Sequence, residues 1–197
     1  MLRRKVINEL ISWRESHSRK ALLIKGARQV GKTTTIRLFG TTNYKNFVEI
    51  NFEKSPLAKQ AFAGNLDAQT IILNLSAMGY GPFEKGKTLV FFDEIQSCPQ
   101  ARTAIKFLVE DGRCDYIESG SLLGINYKDV SSYPAGFEQQ LDMFPLDFEE
   151  FLWAMDNEML MPVIRDCFEK KKPIGMIQIW TLPITVIGII SFKNSFT

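Results

Sequence analysis

The stretch LLIKGARQVGKTTTIRLF, residues 22–39, passes from an apolar run through a glycine-rich segment into a helical pattern. Residues 21–24 read as a short buried strand that meets Gly26, and residues 33–39 as a helix that stops near Gly40. Between them Gly26, Gly31, Lys32 and Thr33 satisfy G-x-x-x-x-G-K-[ST] without a gap. The strand before and the helix after give the pattern its chemical meaning. Such a loop wraps backbone N–H groups around phosphate oxygens, and the helix N-terminus adds positive potential. Gly26 and Gly31 permit turns and close approach where a side chain would intrude. On this reading Gly26, Ala27, Arg28, Gln29, Val30, Gly31, Lys32, Thr33 and Thr34 cradle the phosphates of ATP. Lys32 would reach the β and γ phosphates, and Thr33 would offer its hydroxyl to Mg²⁺. The phosphate chemistry does not itself require Arg28 or Gln29.

Sixty positions beyond Thr33, the run 88–92 ends in Asp93 and Glu94. It is continuously apolar, as a central parallel strand is. Acids at the C-terminal end of such a strand lie where open α/β sheets bind ligands. Asp93 would hold Mg²⁺, usually through water, and Glu94 would orient or deprotonate the attacking water. The plainer alternative is a pair of capping residues before a helix opened by Pro99. After a further strand at 114–118 come Ser119 and Ser121. Ser121 is the better candidate for reaching the γ-phosphate or the water, against a local capping role. The catalytic set is therefore Glu94, Lys32 and Ser121, with Thr33 and Asp93 for the metal. No arginine stands out for the transition-state charge. Arg37 and Arg165 are weak candidates, whereas Arg102, Arg113, Glu138 and Glu149 read as surface residues.

The remaining pattern supports an α/β fold with a mostly parallel sheet covered by helices on both faces. Residues 2–14 have a helical rhythm, 46–52 read as a second strand, and 58–62 and 68–78 as helices. Beyond a loop at 127–138, residues 139–144 suggest an edge strand. Residues 147–155 suggest a helix capped by Asp147 with Glu150 three positions on, and 158–168 another. The 197 residues suffice for one such domain with a small appendage. A net charge of +2 points to no polyanion partner. The charge is uneven, however: Arg3, Arg4 and Lys5 open the chain, and residues 138–160 hold seven acids and no base. Two solvated faces, or a basic docking surface, would explain this. Cys98, Cys114 and Cys167 are widely spaced and suit a reducing compartment, and no secretory leader is evident at the N-terminus.

Five segments carry a family resemblance: LLIKGARQVGKTT, FVEINFEKSP, LVFFDEIQSCPQA, YIESGSLLGI and MFPLDFEEFLWA. Together they resemble the bacterial and archaeal AAA-type P-loop ATPases with a DUF4143 C-terminal domain. The resemblance covers roughly residues 5–175 and implies an ATP-binding core of the AAA+ type. It implies a Walker A loop at Gly26 to Thr33, Walker B acids at Asp93 and Glu94, and a sensor-like position near Ser121. Gln96 lies in the family's DEIQ segment. Many members carry a basic residue where Phe137 stands here, which puts a cis contact to the phosphates in doubt.

The expected organisation is an AAA-type ATP-binding domain at 1–155, the start of a helical connector at 156–175 and an atypical tail at 176–197. The segment 173–192 is uncharged over twenty residues. A truncation or frame change, a buried strand pair and a membrane anchor are its three readings, the first favoured. The expected function is Mg²⁺-dependent binding of ATP and its hydrolysis to ADP and phosphate, in a cytoplasmic protein that self-associates or engages a partner protein. A non-catalytic nucleotide-binding remnant or interaction module is the alternative. The sequence shows no nucleic-acid reading motif.

Overall fold

A computed structural model of the chain describes residues 2–16, 20–121 and 136–172. The tail 176–197 lies outside the described residues, as does most of the expected loop 127–138. The chain divides into two compact units, one of Lys5–Pro145 and one of Met1–Arg4 with Leu146–Thr197.

In the larger unit the strands are β1 (Ala21–Gly26), β2 (Asn46–Asn51), β3 (Thr88–Asp93), β4 (Asp115–Ser121) and β5 (Glu138–Asp142). They form one sheet in the order β2-β3-β4-β1-β5, with every pairing parallel. The helices are α1 (Val6–Glu15), α2 (Lys32–Asn43), α3 (Ala68–Ala77) and α4 (Pro99–Asp111), with 3-10 turns at Pro56–Phe62 and Ile95–Ser97. Strand alternation separates the two faces. Leu22, Ile24, Leu89, Phe91 and Ile117 join Leu10 of α1 and Ile36 and Phe39 of α2. Leu23, Val90, Phe92 and Tyr116 join Ile71 and Leu75 of α3 and Ile105 and Leu108 of α4. Both faces are apolar because each is covered, which is why these strands read as unbroken hydrophobic runs. Cys98 and Cys114 are buried free thiols, and burial pushes the Cys114 thiol up to about 12.

Two local expectations need correction. Helix α2 does not stop near Gly40 but continues to Asn43. A Cβ on Gly40 would come within 2.3 Å of the Phe47 ring, so the glycine serves close packing of α2 on β2 rather than termination. Arg102 and Glu138 are not surface residues: their side chains are 3% and 2% exposed, and Arg102 Nη2 donates to both Glu138 oxygens at 3.0 and 3.2 Å. Arg102 lies three residues before Ile105, on the inward stripe of α4. It thus joins α4 to the edge strand β5 through a desolvated ion pair. Beside them Glu118 of β4 is fully buried, and neither carboxyl oxygen has a hydrogen-bond partner among the described residues. Burial, and then the Glu138 charge, hold its carboxyl well above the usual glutamate range, with Arg102 opposing.

In the smaller unit Asp147 caps α5 (Phe148–Ala154) through the expected reciprocal box with Glu150. Arg4 donates to Glu150 at 3.2 Å, and Arg3 donates to Glu158 and lies over the Trp153 ring. Part of the basic N-terminus therefore faces part of the acidic segment, and the picture of two separate solvated faces is too simple. Helix α6 (Leu160–Glu169) brings Leu160, Met161 and Ile164 around the buried Leu152. Among the described residues no helix is long and apolar enough to cross a membrane.

Glu118 makes stability depend on pH. Above the ordinary glutamate range near pH 4.5 the unfolded chain has released this proton while the fold retains it, so stability declines as pH rises. Glu118→Gln removes that decline. In urea unfolding the variant should gain on the wild type as pH rises above about 5, and the difference should stop changing below about pH 4. A constant gap across that range would contradict the assignment. A second variant probes the base of the glycine-rich loop. A Cβ on Gly26 would lie 2.3 Å from the Met143 carbonyl oxygen. Gly26→Ala should therefore cost about 1–3 kcal/mol in ligand-free unfolding, as overpacking against backbone does.

Candidate nucleotide-binding site

All five strands being parallel, their C-terminal ends share one edge, and the loop after β1 crosses it. The loop backbone takes left-handed values at Gln29 (φ 65°) and Gly31 (φ 94°), and α2 begins at Lys32. Gly31 meets the expectation that a glycine is needed for the turn. Gly26 also has a close neighbour within the fold. The close approach it permits is to the end of β5, where Met143 N–H also donates to the Lys25 carbonyl at 2.7 Å. Ala27, Arg28, Gln29 and Thr34 are exposed around the loop, and Val30 is half-buried against the α1–α2 side of the core.

Lys32 closes over its own loop. Its Nζ donates to the carbonyls of Gly26 at 2.9 Å and Ala27 at 2.7 Å. Partial burial lowers the pKa of this ammonium, while the charges of Glu94 and Asp93 work against the shift and Arg28 adds to it. The lysine thus stands with the two acids in one electrostatic neighbourhood, although sixty positions separate the acids from the loop in sequence.

Asp93 is 3% exposed and accepts hydrogen bonds from three other elements. Thr33 Oγ1 of α2 lies 3.3 Å from its Oδ2, and Asn51 Nδ2 of β2 donates to the same oxygen at 2.8 Å. Ser119 Oγ of β4 donates to Oδ1. Asn51 also accepts from the N–H groups of Glu53 and Lys54 at 3.0 and 2.9 Å, fixing the turn after β2. Asn51 did not stand out in the sequence and Ser119 ranked behind Ser121, yet register supplies the signal for both. Asn51 pairs with Asp93 directly, and Phe92 pairs with Glu118, which brings Ser119 alongside. Ser121 ends β4 opposite Gly26, and its side chain lies outside the described residues.

The oxygens of Asp93 and Thr33 are the hard donors that Mg²⁺ prefers. Glu94 follows in a left-handed conformation, φ 55° and ψ 49°, and its carboxylate accepts from Gln96. It is the N-cap residue of the short 3-10 turn at Ile95–Ser97, with no side-chain capping bond, while Cys98 precedes α4, so Glu94 does not cap the helix opened by Pro99. The two arginine candidates are engaged. Arg37 makes a two-pronged pair with Glu49 at 2.6 Å, and Arg165 pairs with Glu149 at 2.8 Å. Phe137 packs against the α3–α4 side of the core and brings no cation.

A comparison with curated proteins finds no match. Among solved structures, one match is PCH-2 of C. elegans, 16% identical over 83% of this chain and 49% of that one, with a TM-score of 0.46. The ORC1 protein of Aeropyrum pernix in complex with DNA is 11% identical over 82% of this chain and 50% of that one, with a TM-score of 0.50. The chain spans about half the length of these two structures. The ORC1 likeness bears on the fold, which is the same α/β architecture. A family model described as the AAA domain matches residues 18–152, from just before β1 to the buried Leu152 of α5. That span takes in the glycine-rich loop, both acids and all five strands, and the chain accordingly belongs to the AAA domain family of P-loop ATPases.

Proposed function

We propose that this protein binds Mg²⁺-ATP at Gly26 to Thr34 and hydrolyses it to ADP and phosphate. The observation that carries the reading is the meeting of Thr33, Asp93, Lys32 and Glu94 at one sheet edge. Loop N–H groups and the start of α2 would take the phosphate oxygens, with Arg28 and Gln29 flanking them. The Lys32 ammonium would exchange two loop carbonyls for the β and γ phosphates. Thr33 and Asp93 would hold Mg²⁺, which supplies charge neutralisation when bound. Asn51 and Ser119 keep the Asp93 carboxylate fixed for that task. Glu94 would take a proton from water as the water oxygen bonds to the γ phosphorus and the bond to the ADP oxygen breaks. Ser121 is assigned to the γ-phosphate or the water.

The wider reading is that of the AAA-type ATPases carrying a DUF4143 C-terminal domain, of bacterial or archaeal origin and in the cytoplasm. Residues 1–155 would be the ATP-binding domain and 156–175 the start of the connector. A neighbouring protomer or partner protein would supply an arginine to the transition-state charge.

The alternative is a nucleotide-binding remnant that does not turn over. Phe137 supports it, since it stands where the resemblance implies a basic side chain. Radiolabelled ATP separates the two readings. Lys32→Ala should lose ATP binding, and Glu94→Gln should keep it while phosphate release falls by about 100-fold or more. If wild type and Glu94→Gln both bind ATP and neither releases phosphate above background, the remnant reading stands and the hydrolase reading fails.

A further inference from the structure

The segment from Asp93 to Cys98 is built so that one side chain returns to another. Asp93 ends β3 inside the site, and Ile95 is 0% exposed within the α3–α4 side of the core. Glu94, between them, adopts a left-handed conformation that non-glycine residues avoid. Observed strain of this kind gathers at functional sites. The reversal at Glu94 lets the chain anchor Ile95 and enter a 3-10 turn, in which Ser97 N–H donates to the Glu94 carbonyl at 2.9 Å and Cys98 N–H to that of Ile95 at 3.0 Å. The turn carries Gln96 back beside Glu94, where Nε2 donates to Oε2. A carboxylate only accepts, so the amide must present its NH₂ group here.

Two observations indicate what this contact does. The Gln96 carbonyl oxygen is buried and has no hydrogen-bond partner among the described residues. Leaving a buried acceptor unpaired is costly, and what the side chain gains in return is the bond to Glu94. The second observation concerns Lys32, on which Glu94 acts more strongly than any other charged side chain. Its ammonium donates to loop carbonyls instead of pairing with the acid. Glu94 therefore has two available partners, and it is bonded to Gln96.

We propose that Gln96 is the positioning residue for Glu94, holding Oε2 so that the carboxylate stays off Lys32 and presents Oε1 to the attacking water. This rests on the hydrolase reading above. Gln96 touches no reacting atom. It acts by keeping the base away from the lysine that the phosphates require, and by limiting the carboxylate to one orientation.

The test uses the full chain with Gln96→Leu, which keeps the bulk and removes the donor, and Gln96→Met as a second variant should the first fail to fold. In either folded variant kcat should fall about tenfold to a hundredfold, as loss of orientation at a reacting group does. KM and the ATP dissociation constant should stay within about twofold, because ground-state binding is untouched. An unchanged kcat overturns the proposal. So does a fall in kcat matched by equal weakening of ATP binding, which would mark a disturbed phosphate loop. The side-chain amide signals of Gln96, read by NMR in the wild type and in Glu94→Ala, distinguish the two levels of failure. Slowed exchange that is lost in Glu94→Ala supports the contact. Free exchange in the wild type refutes the contact and leaves hydrolysis intact. A held amide in a wild type that binds ATP but releases no phosphate refutes the hydrolase reading, and the positioning role with it.

Discussion

The Asp93 carboxylate is where the separate parts of the site become one object. A buried charge is tolerated only when it is paired or hydrogen-bonded, and here the bonds come from α2, β2 and β4. Thr33 follows the lysine of the loop, Asn51 ends β2 and fixes the next turn, and Ser119 precedes the glycine at 120. A parallel sheet makes this possible, because its strand ends arrive together on one edge. Each of those elements is consequently correct only relative to Asp93. Movement of the carboxylate is felt at the loop, at the β2 turn and near the end of β4 together.

A second polar cluster performs a different task. Arg102 and Glu138 bind α4 to the outermost strand with almost no exposure. A buried ion pair adds little net stability, but it penalises alternatives that leave either charge unpaired. Glu118 stands beside the pair as a carboxyl whose oxygens find no hydrogen-bond partner among the described residues. An apolar residue there would pack at less cost. The buried acid makes this part of the fold sensitive to proton supply, in a strand whose next residue bonds to Asp93.

The elements and the loop were readable because their signals are local. Apolar runs, a glycine-rich turn, a proline at the start of α4 and an Asp–Glu capping box each act over a few residues. Contacts that depend on strand order were not readable. Asn51 and Ser119 gain meaning only when β2 and β4 flank β3. At Arg102 charge argues for solvent, while the spacing from Ile105 places the side chain inward. Gly40 looked like a stop signal because composition does not reveal that Phe47 will lie against it.

The two glycines of the loop pattern also have separable origins. Gly31 answers to the backbone twist before α2, and Gly26 to the carbonyl of Met143 at the end of the fifth strand. Motif positions that appear equivalent in a sequence thus report on different neighbours. In a fold whose fifth strand ended short of the loop, position 26 would be open to larger residues. A match to the full pattern in this chain testifies to a loop able to cradle phosphates and, separately, to an edge strand closed against its base.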